Sequence, residues 1–284
     1  MEQTGKGGNM DKTLGIYMFI RNGVYYDYPF IEAIDSALPV ADQVVICECF
    51  SDKDDTFDRL QERYGNNPKV KLVRNNWVTH FEGLSSIGNY AALQLTTDWK
   101  WQLQADEVIH ENSYDEIRSI IQTEDPKISA FMVHYKHMLA NYETEFDFCY
   151  TELIRIAKRG SKWRLIGDAC QLDGGDRQTV KDTGIQVFHY GKVHEGRVGW
   201  QKEWDFQQLF TDIGFPDPKM KEMEKQFGEQ YCDYVYLFES SIKEGKVRRF
   251  EGTHPKIMAE RIAQFKDGGW EQFVSKMKDG LKLQ

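Results

Sequence analysis

The feature that most restricts the fold is an alternation that runs from Leu14 to Leu103. Leu14-Gly-Ile-Tyr-Met-Phe-Ile20 is an unbroken apolar run, the mark of a strand covered on both faces. Pro29 can open a helix at its first position, and Phe30, Ile31, Ile34 and Leu38 follow at helical spacing. Val44-Val-Ile-Cys47 reads as a second strand and Thr56–Tyr64 as a second helix, with Phe57 and Leu60 inward. Gly65-Asn-Asn-Pro68 is a turn before a third strand, Val70–Val73, and a third helix spans Leu84–Leu95. Strand–helix pairs of this length call for a parallel sheet with right-handed crossovers. The expected fold class is therefore α/β, with a mixed, mainly parallel sheet.

Trp99–Glu111 completes the alternation. Trp101, Leu103 and Ala105 fall on one face of a strand, and Gln102, Gln104 and Asp106 on the other. Asp106 and Glu107 are thus expected at a strand tip, where open α/β sheets bind ligands. A carboxylate there suits a hard divalent cation that keeps waters and grips a diphosphate. Ser113-Tyr-Asp-Glu116 reads as a capping box opening the next helix.

Beyond that helix the rhythm changes. Ser129–His137 and Glu152–Ala157 read as strands, and Gly160-Ser161 as a turn into Trp163–Ile166, in a hairpin or at a mixed-sheet edge. Gln186–Tyr190 reads as a short strand carrying His189. From about Trp200 the pattern is mostly helical, with aromatic stripes such as Trp204, Phe206 and Phe210. Tyr231, Tyr234, Tyr236 and Phe238 suit either a packed helix or an aromatic cleft for an acceptor.

Composition closes several doors. The chain has 284 residues, enough for a substantial core, and its 36 Lys and Arg against 45 Asp and Glu leave a net charge of −9. That balance gives no general attraction to nucleic acid or to anionic membrane. Five cysteines, at 47, 49, 149, 170 and 232, form no disulfide framework, and Cys47-Glu-Cys49 lacks the second pair of a structural zinc site. No apolar run approaches the length of a membrane helix, and the N-terminus lacks a signal-peptide core. Residues 1–11 read as a disordered leader, and a cytoplasmic location is expected.

The motifs that the chain lacks narrow the chemistry further. No P-loop, dinucleotide fingerprint, nucleophile elbow or zinc-protease helix is present. Bound phosphate would have to be held by a metal and by side chains. Polar groups do gather where strands should end: Arg21-Asn22 after the first, Glu48 after the second, Asp106-Glu107 after the fourth, and His189 on a later one.

The order Tyr17-Met-Phe-Ile-Arg-Asn22, Asp35-Ser-Ala-Leu38, Val44-Val-Ile46, Ser51-Asp-Lys-Asp-Asp-Thr56, Ile87-Gly-Asn-Tyr-Ala-Ala92 and Leu103-Gln-Ala-Asp-Glu107 resembles the motif run of family-two-like glycosyltransferases of the GT-A type. Glu152-Leu-Ile-Arg155, Asp168-Ala169 and Phe188-His-Tyr-Gly191 are similar to a bacterial and phage subgroup of that family. The resemblance extends from Leu14 to about Tyr190. It implies a GT-A fold (nucleotide-diphospho-sugar transferase, Rossmann-like) with a catalytic domain over 12–195. That domain would comprise a donor half, 12–122, and an acceptor half, 123–195, followed by a mostly helical extension over 196–284. It implies a nucleotide-sugar donor, a Mn²⁺ or Mg²⁺ ion, and transfer of the sugar to a glycan, lipid-linked, protein or nucleobase acceptor.

Residue by residue, the resemblance puts the metal on Asp106, with His189 completing its site. It puts the nucleotide-sugar against Arg21, Glu48, Asn89, Gln104 and Asp106. Gln104 stands where the family usually has its first acid, which weakens the expected bond to the ribose. Glu48, while ionised, only accepts hydrogen bonds, which favours a uracil or thymine imide and hence a UDP- or dTDP-sugar. An inverting enzyme needs a carboxylate base, for which Asp168 and Glu152 are the candidates; a retaining enzyme does not. Each of these residues also has a plain structural use as a loop acid, helix-surface amide or salt-bridge partner. Two alternatives stand beside the transferase. One is a nucleotidyltransferase, although Asn22-Gly23-Val-Tyr-Tyr26 lacks its Gly-rich basic loop. The other is a non-catalytic nucleotide-sugar-binding protein, which Gln104 favours.

Overall fold

The computed structural model describes residues 11–80, 82–147, 150–194, 198–209, 239–266 and 268–280. The alternating half folds as expected. Strands β1 (Leu14–Ile20), β2 (Gln43–Glu48), β3 (Val70–Arg74) and β4 (Trp99–Gln102) lie parallel in the spatial order β4-β1-β2-β3. Helices α1 (Phe30–Ala37), α2 (Thr56–Tyr64) and α3 (Gly83–Leu93) connect them. β1 sits in the middle, which explains its unbroken apolar run. Leu14, Ile16, Met18 and Ile20 face a core with Trp99, Trp101 and Ile34, while Tyr17 faces a second core with Val45, Ile87 and Trp163.

β5 (Glu107–Ile109) and helix α4 (Tyr114–Ile121) follow. The second half then turns the sheet antiparallel. β6 (Ala130–Leu139) and β8 (Glu152–Lys158) pair antiparallel, and β8 joins β4. β7 (Thr144–Phe146) extends the sheet beyond β6, and β9 (Arg164–Leu165) with β10 (Leu172–Asp173) forms a separate small hairpin. β11 (Val180–Lys192) runs parallel to β6 and antiparallel to β5. The C-terminal region is tied to this sheet: β12 (Val247–Arg249) pairs with β7, and Met258 packs on Tyr142 and Tyr190. Among the described residues, the strands other than β9 and β10 form a ten-stranded mixed sheet with a parallel half. No helix among the described residues is long and apolar enough to cross a membrane.

The structure departs from the sequence reading at several points. The strand through Asp106 is broken: β4 ends at Gln102, and a turn carries Gln104 to Asp106 before β5 begins. The Glu107 N–H donates to the Gln104 carbonyl at 3.1 Å, and the Glu107 carboxylate accepts the Gln104 N–H at 2.9 Å, so one residue closes the turn twice. The capping box does not form. The Ser113 side chain makes no cap bond, and Glu116 instead accepts the Gly184 N–H from β11 at 2.9 Å. The segment Trp163–Ile166 pairs with β10 and not with β8. β11 is far longer than Gln186–Tyr190, since its polar start stays in the sheet through register breaks at 182/186 and 189/192. Phe210, Tyr231, Tyr234, Tyr236 and Phe238 lie outside the described residues, as do Cys149 and Cys232.

Candidate functional site

A cleft of about 490 Å³ opens at the C-terminal ends of β1 and β4. Its floor is the end of β1, Phe19–Asn22, with the turn Gln104–Asp106 beside it. Further walls come from His189–Lys192 on β11, from the loop bearing Asp168 and Cys170, and from helix α5 (Val198–Gln208). This is the edge where parallel α/β sheets bind ligands.

Asp106 is held at the backbone by the Tyr190 N–H, which donates to its carbonyl at 2.8 Å. Its carboxylate stands 3.3 Å from the Lys202 ammonium and 3.7 Å from His189 Nε2. Burial raises its pKa, but the Lys202 ammonium, His189 and the hydrogen bonds to the carboxylate together outweigh burial and hold the carboxyl down at about 2. Lys202, on α5, also donates to the Gly191 carbonyl at 2.6 Å and lies over the Tyr28 ring. Burial lowers the Lys202 pKa against the pull of Asp106. Gly191 sits in the β11 register break, and the space above it matters. A Cβ there would overlap Asp106 Oδ2 and come within 2.7 Å of His189 Nε2.

Sheet register assembles the histidines. His189 is directly opposite Glu107 on β5 and His137 on β6. His137 Nδ1 and His189 Nδ1 lie 3.0 Å apart, and His137 Nε2 donates to the Tyr150 carbonyl at 2.9 Å. The His137 ring is stacked on Tyr135 and edge-on to Tyr150. Burial pushes the His137 pKa down to about 4 and that of His189 well below its usual value, so both rings are neutral. Beneath them Glu107 and Arg155, both wholly buried, pair at 2.6 Å. Burial pushes Glu107 up to about 7 despite Arg155, while the Glu107 carboxylate raises Arg155 against burial.

At the other end of the cleft Asn22 takes a left-handed φ of 53°, which Asn tolerates. Its amide brackets Asp52, donating to the carboxylate at 3.0 Å and accepting the Asp52 N–H at 2.9 Å. Arg21 donates to the same carboxylate at 2.8 Å and lies over the Trp77 ring. Helix α5 is anchored here too. Asp205 accepts from the Tyr26 hydroxyl at 2.6 Å and from Lys53 at 2.7 Å.

Of the residues singled out from sequence, Arg21, Gln104, Asp106, Asp168 and His189 line this one cleft. Asp168 is exposed, with Oδ1 accepting the Cys170 N–H of its own turn at 3.1 Å. Glu48, Asn89 and Glu152 are not part of the lining. Glu48 is fully buried, with one oxygen taking the Ser51 N–H at 2.5 Å and the other Arg74 at 2.8 Å, and Arg74 is itself clasped by Phe50 and Phe57. Asn89 spends its amide on both backbone groups of Leu165, at 2.9 and 3.0 Å, fastening α3 to β9. Glu152 starts β8 at the surface, 3.9 Å from His134. Sequence reasoning missed Lys202, Asp205, Asp52, Trp77 and His137. Only register and tertiary packing reveal them, although Asp52 belongs to the run Ser51–Thr56. Among the described residues no cluster of three or more His, Cys, Asp or Glu side chains is placed to hold a metal.

No family model matches the chain, and no curated protein matches it in sequence. Solved structures do resemble it in chain course. S. aureus TarS 1–349 in complex with UDP-GlcNAc is 11% identical over 82% of this chain and 74% of that one, with a TM-score of 0.44. TarS 1–349 in another crystal structure gives 11% over 80% and 74%, with a TM-score of 0.42. GalNAc-T7 with UDP, GalNAc and Mn²⁺ gives 12% over 83% of this chain and 57% of that one, with a TM-score of 0.44.

Proposed function

We propose that the chain is a glycosyltransferase of the GT-A type that takes a nucleotide-sugar donor, with a divalent ion held by Asp106 and His189. The observation that carries this reading is the placing of Asp106. It sits on a turn at the C-terminal edge of the parallel strands, faces the cleft, and has His189 and a buried ammonium beside it. The surroundings fit an ion. Gly191 leaves uncovered a space that a Cβ would fill beside the Asp106 and His189 ligand atoms, and Lys202, whose ammonium pairs with Asp106, would turn to the diphosphate when an ion takes its place. Asp106 and His189 would hold the ion, and its remaining positions would be open to the donor and to water. A carboxylate with a neutral imidazole suits Mn²⁺ better than Mg²⁺. When bound, such an ion neutralises the charge that gathers on a departing diphosphate.

The chain's own residues do the rest. Asp106 is ionised across the working pH range. Lys202 supplies a second cation at the diphosphate position. Arg21, Trp77 and Asp52 wall the end of the cleft that would take the nucleoside. Gln104 presents an amide toward the ribose, where an acid is usual in the family. Asp168 is favoured over Glu152 as the base for an acceptor hydroxyl, because Asp168 lines the cleft. Its Oδ1 is fixed by the Cys170 N–H, which leaves Oδ2 to take a proton. Residues 12–122 would then hold the donor and 123–195 face the acceptor.

The test is incubation with UDP-, dTDP-, GDP- and CDP-sugars in Mn²⁺. Slow release of sugar and nucleoside diphosphate, fastest from a UDP- or dTDP-sugar and lost in Asp106→Asn, supports the transferase. Pyrophosphate exchange would indicate a nucleotidyltransferase. Binding without turnover of any donor would indicate a sugar-nucleotide binder.

A further inference from the structure

We propose that His137 is a positioning residue that locks His189 in a single tautomer, with its proton on Nδ1 and the Nε2 lone pair turned toward Asp106. The inference rests on the reading above, in which Asp106 and His189 hold a divalent ion.

A carbonyl oxygen only accepts, so the 2.9 Å contact between His137 Nε2 and the Tyr150 carbonyl requires a proton on Nε2. A neutral imidazole carries one ring proton, so His137 Nδ1 is then an acceptor. That nitrogen lies 3.0 Å from His189 Nδ1, which must supply the proton. His189 has spent its only N–H, and its Nε2 is left with a bare lone pair. That lone pair stands 3.7 Å from Asp106 Oδ2, so two acceptors face each other across the space left by Gly191. Such a pair repels unless a cation lies near, and Lys202 or a metal ion meets that need.

Packing prevents the alternative. His137 is directly paired with His189 across β6 and β11, so the two side chains leave the same face of the sheet. The His137 ring is 2% exposed, stacked on Tyr135 and braced edge-on by Tyr150. It cannot flip without breaking those contacts and losing the Tyr150 carbonyl. Metal-binding imidazoles elsewhere depend on such a partner at the second nitrogen; here a second histidine takes that role.

The proposal is testable on the metal-free full chain. Histidine-selective ¹⁵N labelling reads which ring nitrogen of His189 carries the proton, with His189→Gln identifying its signals. The expected result is a protonated Nδ1 and a bare Nε2. His137→Gln keeps both bonds, because its amide donates to the Tyr150 carbonyl and its oxygen accepts from His189 Nδ1–H. That variant should retain the tautomer and the Mn²⁺ affinity measured with UDP by electron spin resonance. His137→Leu removes the acceptor. It should show mixed tautomers at His189 and bind Mn²⁺ about 10–100-fold more weakly. A proton on Nε2 in the parent, or an unchanged tautomer and affinity in His137→Leu, would overturn the proposal. If His137→Leu does not fold, the parent tautomer and the His137→Gln result decide alone. The expected tautomer without any Mn²⁺ uptake by the parent would instead overturn the metal reading and leave the lock standing.

Discussion

Arg155→Met cuts the support beneath the turn that bears Asp106. Arg155 and Glu107 are each 0% exposed and pair at 2.6 Å. The other oxygen of Glu107 accepts the Gln104 N–H, so the pair fixes the backbone on which Asp106 rides. Removing one partner of a buried pair costs about 3–5 kcal/mol, because the survivor is left charged or must take up a proton in a dry site. Two details place this case at the lower end, near about 3 kcal/mol. Arg155 Nε and Nη1 find no acceptor among the described residues, so the native guanidinium is already under-served. Burial also pushes Glu107 up to about 7, so the stranded acid can neutralise itself cheaply. At about 2–4 °C per kcal/mol for a chain of this size, Tm should fall by about 6–12 °C. Urea denaturation of the parent, Arg155→Met and the double variant Arg155→Met/Glu107→Leu provides the assay. The double variant should recover part of the loss, since no charge is stranded, although the Gln104 N–H loses its carboxylate acceptor. A loss below about 1 kcal/mol in the single variant, or a double variant worse than the single, would refute the reasoning.

Other consequences follow from the same geometry. His137 has its folded pKa lowered to about 4 by burial, so its contribution to stability is complete above about 6.5 and is lost as pH falls through 4. That shift corresponds to about 3 kcal/mol; urea midpoints at pH 7.5 and 4.5 should show the drop, and His137→Gln should flatten it. Glu48→Gln should cost about 1–3 kcal/mol of stability by weakening a buried acceptor of Ser51 and Arg74 while leaving UDP affinity unchanged; calorimetry showing weaker UDP binding with unchanged stability would count against the buried role. Gly191→Ala adds a methyl against Asp106 and His189, an overpacking worth about 1–3 kcal/mol. That loss should lower Tm, and the displacement of Asp106 and His189 should weaken Mn²⁺ affinity as well.

The parallel half was legible because its strands alternate with helices of matching length and the central strands advertise their own burial. Leu14–Ile20 is apolar throughout since it is covered on both faces, and Asp106 could be found by counting strand ends. What escaped the sequence depends on contacts between distant segments. Lys202 is an ordinary helix lysine until α5 lays it against Asp106, 96 residues away in the chain. His137 gains meaning only from the β6–β11 register. Glu48 shows the limit from the other side. Its place at the end of β2 suggested a ligand contact, but the Ser51 N–H and Arg74 turn its carboxylate inward. The Ser113 capping box failed for a related reason, because Glu116 found a better donor in Gly184 than in its own helix.

The central claim is that Asp106 joins a divalent ion to the diphosphate of a nucleotide donor. Calorimetric titration of UDP into the protein, with Mn²⁺ and again with excess chelator, for the parent and for Asp106→Asn, tests it most directly. The account predicts binding by the parent that weakens about 10–100-fold without Mn²⁺, and an Asp106→Asn protein that folds normally and binds only at the weaker level with or without the ion. Equal UDP affinity in chelator, or an Asp106→Asn protein that still gains affinity from Mn²⁺, would contradict it.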